Sequence, residues 1–106
     1  MADILPGTLA MLILKTLSLQ PMHGYAIAQH IERLSEEVLR LQEGTLYPAL
    51  QAMEVKGWVK SEWRLSPTKR RARYYSITPA GRKQLAAETR EFDQVVAAVS
   101  KVMKPA

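Results

Sequence analysis

Two short segments rich in aromatic and β-branched residues constrain the fold of this chain most. Residues 58–63 (WVKSEW) and 74–78 (YYSIT) have the composition of strands, and residues 64–73 (RLSPTKRRAR) join them. Two strand-like segments separated by a short, polar, proline-containing connection predict a β-hairpin. The segments on either side have helical spacing of apolar residues, so the predicted fold class is mainly α with a small β-hairpin.

The connection between the two predicted strands carries all of the net charge. The chain has 15 Lys and Arg residues against 10 Asp and Glu residues, a formal charge of +5. Five of the cations and none of the acids lie in residues 64–73, so the remaining charges balance. A local positive patch on a neutral domain indicates a polyanionic partner, although a solvated hairpin tip has the same composition. The five cations are Arg64, Lys69, Arg70, Arg71 and Arg73.

Length and composition limit the class of protein. A chain of 106 residues forms one domain with a thin core, for which dimerisation is a common remedy. The absence of cysteine excludes disulfides and thiolate metal sites and fits a cytoplasmic protein. The apolar start, MADILPGTLAMLILKTLSL, carries an acid where a signal peptide has basic residues, and its apolar stretch is too short for a membrane span. We therefore predict a buried helix there and no membrane partner.

Four helices are predicted around the hairpin. The first is apolar on nearly every side, and a helix of that kind must be covered all round. Because so small a domain can hardly provide that cover, we expect a second subunit to contribute. The predicted helices span residues 8–17, 24–36, 44–56 and 79–103, and residues 38–42 are extended.

The third helix has an inward apolar side and an outward polar side. Thr and Gln side chains can hydrogen-bond to base edges, and Tyr and Lys side chains can reach phosphates. An ordinary solvated helix face has the same residue types, and periodicity alone favours that interpretation. The inward residues are Leu46, Ala49, Leu50 and Met53, and the outward ones are Thr45, Tyr47, Pro48, Gln51, Ala52 and Lys56.

The order of three helices, two strands and one helix is that of a winged helix-turn-helix, although other small α+β folds share it. We divide the chain into a winged helix-turn-helix unit, residues 1–78, and a C-terminal dimerisation helix, residues 79–106, packed as one structural unit.

Four motifs together resemble the PadR family of bacterial transcriptional regulators. They are Gly24-Tyr25 at the start of the second helix, GTLYPAL at residues 44–50, GWV at residues 57–59 and YYSITPAGR at residues 74–82. The resemblance covers residues 5–85 and implies a cytoplasmic, dimeric repressor that binds an operator of approximate twofold symmetry. It also implies that the helix carrying GTLYPAL is the recognition helix and that the hairpin is the wing. The predicted DNA-binding residues are Tyr25, Thr45, Tyr47, Pro48, Gln51, Lys56, Arg64, Lys69, Arg70, Arg71 and Arg73.

The role of each predicted contact follows from its chemistry. Basic side chains that neutralise phosphates supply affinity that falls with salt, whereas Thr45 and Gln51 are expected to supply selectivity. Arg64 and Arg73 have an alternative role, because they could brace the hairpin or pair with Glu62.

The last helix carries apolar residues at alternating spacings of four and three, as in a heptad seam. Packing on its own domain is the simpler alternative, but the resemblance also implies dimerisation through this helix. The predicted dimer interface comprises Leu9, Leu12, Ile13, Leu85, Phe92, Val96, Val99 and Met103.

The single long C-terminal helix places the chain with the short members of the family. Some of these bind flat aromatic compounds between tryptophans of that helix, but here Phe92 is its only aromatic residue. We therefore predict only a weak site for a small apolar or aromatic effector around Phe92 and Val96.

Enzymatic and metal-dependent functions have no support in the sequence. His23 and His30 are seven residues apart with no second pair of ligands, and no phosphate-binding or nucleophile motif occurs. We predict no enzyme activity, metal or cofactor. The alternative to a DNA-binding regulator is a winged-helix small-molecule sensor or protein-interaction module without specific DNA binding.

Overall fold

The computed structural model describes residues 2–3 and 6–104, and within them it contains four helices and five strands. Residues 1, 4, 5, 105 and 106, near the ends of the two predicted units, lie outside this description. The predicted fold class, mainly α with a small β-hairpin, is confirmed. In chain order the elements are β1 Ala2–Asp3, α1 Pro6–Leu17, β2 Met22–His23, α2 Gly24–Leu34, β3 Leu39–Arg40, α3 Glu43–Val55, β4 Val59–Leu65, β5 Arg71–Ile77 and α4 Pro79–Met103.

Helices α1, α2 and α3 pack together against one face of the β4–β5 hairpin. Ile13 of α1, Ile27 of α2, and Leu46 and Leu50 of α3 are completely buried, and Val59 closes the core from β4. Leu46 and Leu50 lie four residues apart on α3, so burying them turns the other side of that helix to solvent. The core therefore determines which face of α3 is exposed.

Helix α1 is covered largely by its own chain, which differs from the expectation that a second subunit would cover it. Leu9 and Ile13 are buried within the chain, at 6% and 0% exposure, and Leu12 is half-buried. The cover comes from α2, α3, α4 and β5, all of which contact α1. Because Leu9 and Ile13 have almost no free surface, only Leu12 of the three predicted α1 residues is available to a partner.

The sheet contains a third strand that was not predicted from the sequence. Strand β2, two residues long, pairs antiparallel with β5 and places Met22 opposite Tyr75. The resulting order is β2-β5-β4. A second, two-stranded parallel sheet joins β1 to β3. Strand β3 lies within residues 38–42, the segment predicted to be extended. The β2 pairing ties the start of α2 to the base of the hairpin.

Helix α2 ends at Leu34, two residues earlier than predicted. Ser35 caps the helix, and its hydroxyl accepts a hydrogen bond from the N–H of Leu39 at 3.0 Å. Glu36 and Glu37 then adopt left-handed backbone angles, with φ of 53° and 65°. A left-handed residue cannot continue a right-handed helix, so the chain turns toward β3 at this point.

Helix α4 has one packed end and one exposed end. Leu85 packs against the core, whereas every residue from Thr89 to Lys104 is exposed. The chain is accordingly elongated, with principal extents of 58 × 29 × 22 Å. Among residues 2–3 and 6–104, no helix is long and apolar enough to cross a membrane.

Candidate nucleic-acid interface

The β4–β5 hairpin is longer than predicted and extends into the basic segment from both sides. The strands run to Leu65 and start again at Arg71, so the prediction that residues 64–73 form the connection is wrong at both ends. The true turn is residues 66–70. Continued backbone pairing, with Arg64 opposite Ala72 and Leu65 opposite Arg71, overrides the weak strand preference of this segment.

Hydrogen bonds within the turn hold the hairpin tip closed. The N–H of Ser66 donates to the carbonyl of Arg70, and the N–H of Lys69 donates to the carbonyl of Ser66, each at 2.8 Å. The Ser66 and Thr68 hydroxyls lie 3.0 Å apart. Lys69 adopts a left-handed conformation, with φ of 61°. Lys69 and Arg70 are therefore presented at the tip of the hairpin on a hydrogen-bonded turn.

Arg73 connects the hairpin to α3. Its Nε donates to the Ser61 hydroxyl at 2.8 Å, and that hydroxyl donates to Oε2 of Glu54 at 2.8 Å. The Arg73 guanidinium also lies 3.6 Å from Oε2 of Glu54. This Glu54–Ser61–Arg73 network matches the bracing role that the sequence left open for Arg73. It joins β4 and β5 to the exposed helix.

Arg64 forms an ion pair with Glu62 on the opposite face of the hairpin. Its guanidinium also lies 5.4 Å from the centre of the Tyr74 ring. Within residues 2–3 and 6–104, Lys69, Arg70 and Arg71 make no ion pair with an acid. The three cations without an acidic partner thus cluster at and beside the tip, and the two paired ones lie nearer the core.

The outward side of α3 is exposed as predicted. The side chains on this side are exposed, and Lys56 extends over the Trp58 ring, with its Nζ 4.7 Å from the ring centre. The N-cap residue Gln42 makes no side-chain hydrogen bond to the first turn. The exposed residues are Thr45, Tyr47, Pro48, Gln51, Ala52 and Lys56.

Tyr47 has a packing role besides its exposure. Its side chain is 43% exposed but lies directly against the backbone of Gly24, the first residue of α2. A Cβ atom at Gly24 would come within 2.7 Å of the Tyr47 ring. Any larger residue at position 24 would therefore displace the Tyr47 ring from this position.

Tyr75 lies beneath this surface. It is buried, and burial raises the pKa of its phenol above the ordinary range, while the nearby Arg73 acts in the opposite direction. The side chain therefore stays neutral at physiological pH and adds no charge to the interface.

Tyr25 occupies a different environment from the other predicted contacts. It lies on the rim of an open groove of about 780 Å³ between α2 and α3, and Gln29 donates a hydrogen bond to its hydroxyl at 3.0 Å. The groove carries four acids, Glu32, Glu36, Glu37 and Glu43, against one cation, Arg33. These acids make this side of α3 less attractive to phosphate than the hairpin side.

Of the two histidines, one caps the start of α2 and the other lies within it. His23 is the N-cap of α2, where its Nδ1 accepts the Ala26 N–H at 3.2 Å, and its ring packs edge-on against Tyr74. His30 is half-buried on α2. No group of three or more metal-ligating side chains occurs in the described part of the chain.

Four of the five predicted dimer residues of α4 lie on one exposed stripe of its second half. Val95 and Val102 widen this stripe, whereas Leu85 packs on the core of its own chain. Phe92 and Val96, the predicted effector residues, lie on the open surface of the helix, so a pocket there would have to be completed by a partner. The other stripe residues are Val99 and Met103.

Sequence reasoning missed Glu54, Ser61, Trp63 and Leu65. Glu54 and Arg73 are nineteen residues apart, and no local pattern pairs them. Trp63 was predicted as a strand residue and Leu65 as part of the connection, neither with a functional role, yet both are exposed on the hairpin. The alternation of Val59, Ser61, Trp63 and Leu65 along one strand face was the available signal.

Comparison with known proteins gives consistent results. The model of the transcriptional regulator PadR-like family matches residues 13–87. A transcriptional regulator of Mycobacterium tuberculosis is 36% identical over 74 residues, which are 70% of this chain and 65% of that protein. An uncharacterised 37.1 kDa transposon protein of Streptomyces fradiae is 42% identical over 74% of this chain, which spans only 21% of that protein.

A solved structure has the same architecture over nearly the whole chain. It is a transcriptional regulator from Clostridium thermocellum with 32% sequence identity and a TM-score of 0.85. The superposition covers 92% of this chain and 95% of the other.

Proposed function

Because the chain belongs to the PadR-like family of transcriptional regulators, we propose that it is a repressor that binds a pseudo-palindromic operator as a homodimer. The observation that carries this proposal is the position of the hairpin cations beside the exposed side of α3. Lys69, Arg70 and Arg71 have no acidic partner among the described residues, and the Glu54–Ser61–Arg73 network fixes the hairpin to α3. In this proposal one duplex contacts both surfaces at once.

In this proposal α3 reads the sequence. An α-helix fits the major groove of B-form DNA, and Thr45 and Gln51 are the side chains whose groups can hydrogen-bond to base edges. The same exposed surface also carries Tyr47, Pro48 and Lys56. These three flank Thr45 and Gln51 and contact the sugar-phosphate backbone of the DNA. The hydrogen-bonding groups of α3 thus supply the selectivity.

The hairpin supplies most of the affinity in this proposal. Each phosphate neutralised by Lys69, Arg70 or Arg71 releases a condensed counterion, so binding weakens steeply as salt rises. An Arg side chain at the tip also suits a narrow minor groove next to the site of α3. Tyr25, beside the acidic groove, is a peripheral contact, and Arg64 and Arg73 contribute less charge because acids neutralise them.

A homodimer would cover the exposed stripe of α4. Phe92, Val96, Val99 and Met103 lie on one side of the second half of α4, where every described residue is exposed. Burying an apolar stripe of this size is favourable by about 25 cal/mol for each Å² removed from water. Of the three α1 residues predicted at the interface, Leu12 keeps free surface, whereas Leu9 and Ile13 are buried. We place the dimer in the cytoplasm, where its DNA partner lies.

The effector site around Phe92 and Val96 is part of the same proposal. Both side chains would line the dimer centre, and a small apolar or aromatic compound bound between two copies would change the spacing of the two α3 helices. The α4 stripe offers such a compound apolar contacts and no charged partner within it.

The direct test is binding of the full-length protein to the promoter upstream of its own gene. We expect protection of a twofold-symmetric site, and a scrambled duplex of the same composition should bind at least about a thousandfold more weakly. Gln51→Ala should reduce this ratio, because it removes a side chain that hydrogen-bonds to a base edge. Equal affinity for both duplexes would contradict specific recognition. Absence of binding to any DNA or to heparin, with the fold intact, would favour a sensor or protein-interaction module.

A further inference from the structure

Strand β4 carries two exposed apolar side chains, here called the strip, on the face that continues outward from the core. Trp63 and Leu65 are 56% and 68% exposed, and they point to the same face because they are two residues apart on one strand. Nearer the core the same face carries buried Val59 and half-buried Ser61. A strand that protrudes into solvent normally turns polar on both faces, so this strip indicates a surface that is covered in use.

Arginines of β5 lie along one side of the strip, and β4 itself is the edge strand of the sheet. The register places Arg73 opposite Trp63 and Arg71 opposite Leu65. The Arg71 and Arg73 guanidinium carbons lie 5.3 and 5.7 Å from the centre of the Trp63 ring. These cation–π contacts orient the indole but leave more than half of Trp63 uncovered. A matching partner must be apolar opposite β4 and negatively charged opposite β5.

The strip lies on the hairpin face that meets α3. Ser61, two residues before Trp63 on the same face, hydrogen-bonds to Glu54 of α3. Arg73, opposite Trp63, reaches the same Glu54. A partner bound against the outward side of α3 therefore meets Trp63 and Leu65 before it meets the opposite face, which carries Lys60, Glu62 and Arg64.

We propose that Trp63 and Leu65 pack against the deoxyribose edges of the DNA minor groove beside the site of α3. This inference rests on the proposed DNA-binding function and adds an apolar contact to it. Each wall of a minor groove presents sugar carbons beside a row of phosphates, which complements an apolar strip with a row of arginines along one side. Proteins that bind this groove commonly place apolar side chains in it. A second copy of the chain fits less well, because pairing two such strips would bring both sets of arginines together.

The salt dependence of binding separates this contact from those of the cations. An apolar contact releases no counterion, so its loss weakens binding equally at every salt concentration. Leu65→Ala should raise the Kd for the promoter duplex about fivefold at every salt concentration tested. A series from about 50 to about 300 mM salt spans the physiological range. The slope of log K against log salt should be the same as for the parent protein. Leu19→Ala is the matched control, since Leu19 is 59% exposed after α1 and away from the hairpin. It should leave Kd unchanged.

A second readout follows Trp63 itself. Trp58→Phe leaves Trp63 as the sole tryptophan, because the chain contains two. Titration with the duplex should change the emission of Trp63 and protect it from quenching by acrylamide. If the duplex binds but Leu65→Ala has the affinity of the parent and Trp63 remains as accessible as before, the apolar contact is overturned and the DNA-binding function stands. If the parent protein binds no DNA at any salt concentration, both proposals fall together.

Discussion

At the scale of single residues, the five cations of residues 64–73 fall into two groups. Arg64 and Arg73 have carboxylate partners, whereas Lys69, Arg70 and Arg71 have none among the described residues. An exposed ion pair contributes only about 0–1 kcal/mol to stability, but it still lowers the local positive potential. The amino-acid composition does not distinguish between these five positive charges. The side-chain geometry pairs Arg64 with Glu62 of the hairpin and Arg73 with Glu54 of α3, and it leaves the other three without a carboxylate partner among the described residues.

Arg70→Ala and Arg73→Ala should therefore have different effects. Loss of Arg70 should reduce the slope of log K against log salt by about 0.9 for each hairpin that binds a phosphate, with little change in stability. Loss of Arg73 should change the slope less and lower the free energy of unfolding by about 0.5–1 kcal/mol, because Ser61 and Glu54 lose their partner. Fluorescence anisotropy over a salt series and urea denaturation measure the two quantities. Equal slopes for the two variants would contradict the assignment.

At the scale of elements, the first turn of α4 is fixed to the loop that follows α3. The Thr78 hydroxyl accepts the N–H of Gly81 at 3.0 Å and lies 2.6 Å from the carbonyl of Gly57. The N–H of Thr78 donates to the carbonyl of Trp58 at 3.0 Å. A Cβ atom at Gly81 would lie 2.1 Å from that carbonyl oxygen, so only glycine permits this approach. The start of α4 thereby has a fixed position relative to the hairpin.

Thr78→Ala should lower the free energy of unfolding by about 1–2 kcal/mol, because the helix loses its N-cap and Gly57 loses a hydrogen-bond donor. Thr78→Ser keeps the hydroxyl and should retain most of that stability. Urea denaturation followed by circular dichroism measures both. A Thr78→Ala protein as stable as the Thr78→Ser protein would show that the cap contributes nothing.

At the scale of the whole molecule, the second half of α4 exposes a stripe of apolar side chains. Its apolar stripe comprises Phe92, Val95, Val96, Val99, Val102 and Met103, all of them exposed. In a dimer this stripe would be buried, and the position of α4 would then set the distance between the two α3 helices. Because the first turn of α4 is fixed to the hairpin, that distance would be transmitted to both DNA-binding surfaces.

Val99→Lys should convert the proposed dimer to a monomer, because it places a charge in the middle of the stripe. We expect the dimer dissociation constant to rise by about a hundredfold or more. Ala97→Lys is the control, since Ala97 lies on the opposite side of α4 and is also exposed. Sedimentation velocity at micromolar concentration distinguishes the states. A wild-type protein that sediments as a monomer under these conditions would contradict the dimer.

Local patterns in the sequence determined the helices, the hairpin and the exposed side of α3. Apolar residues at helical spacing predicted which side of α3 is buried, and Thr78-Pro79 predicted the start of α4. These features depend on residues within a few positions of each other, so composition and spacing suffice to specify them. The family also followed from the sequence, because its motifs combine the turns and caps of those same elements.

Only the tertiary structure decided how far the hairpin extends, which cations are paired and how α1 is covered. Strand β2 pairs with residues more than fifty positions away, and Glu54 reaches Arg73 across two elements. Leu9 and Ile13 are buried by helices and a strand from the rest of the chain, not by a second subunit. Such contacts depend on which elements meet in space, a property that no local pattern of residues encodes.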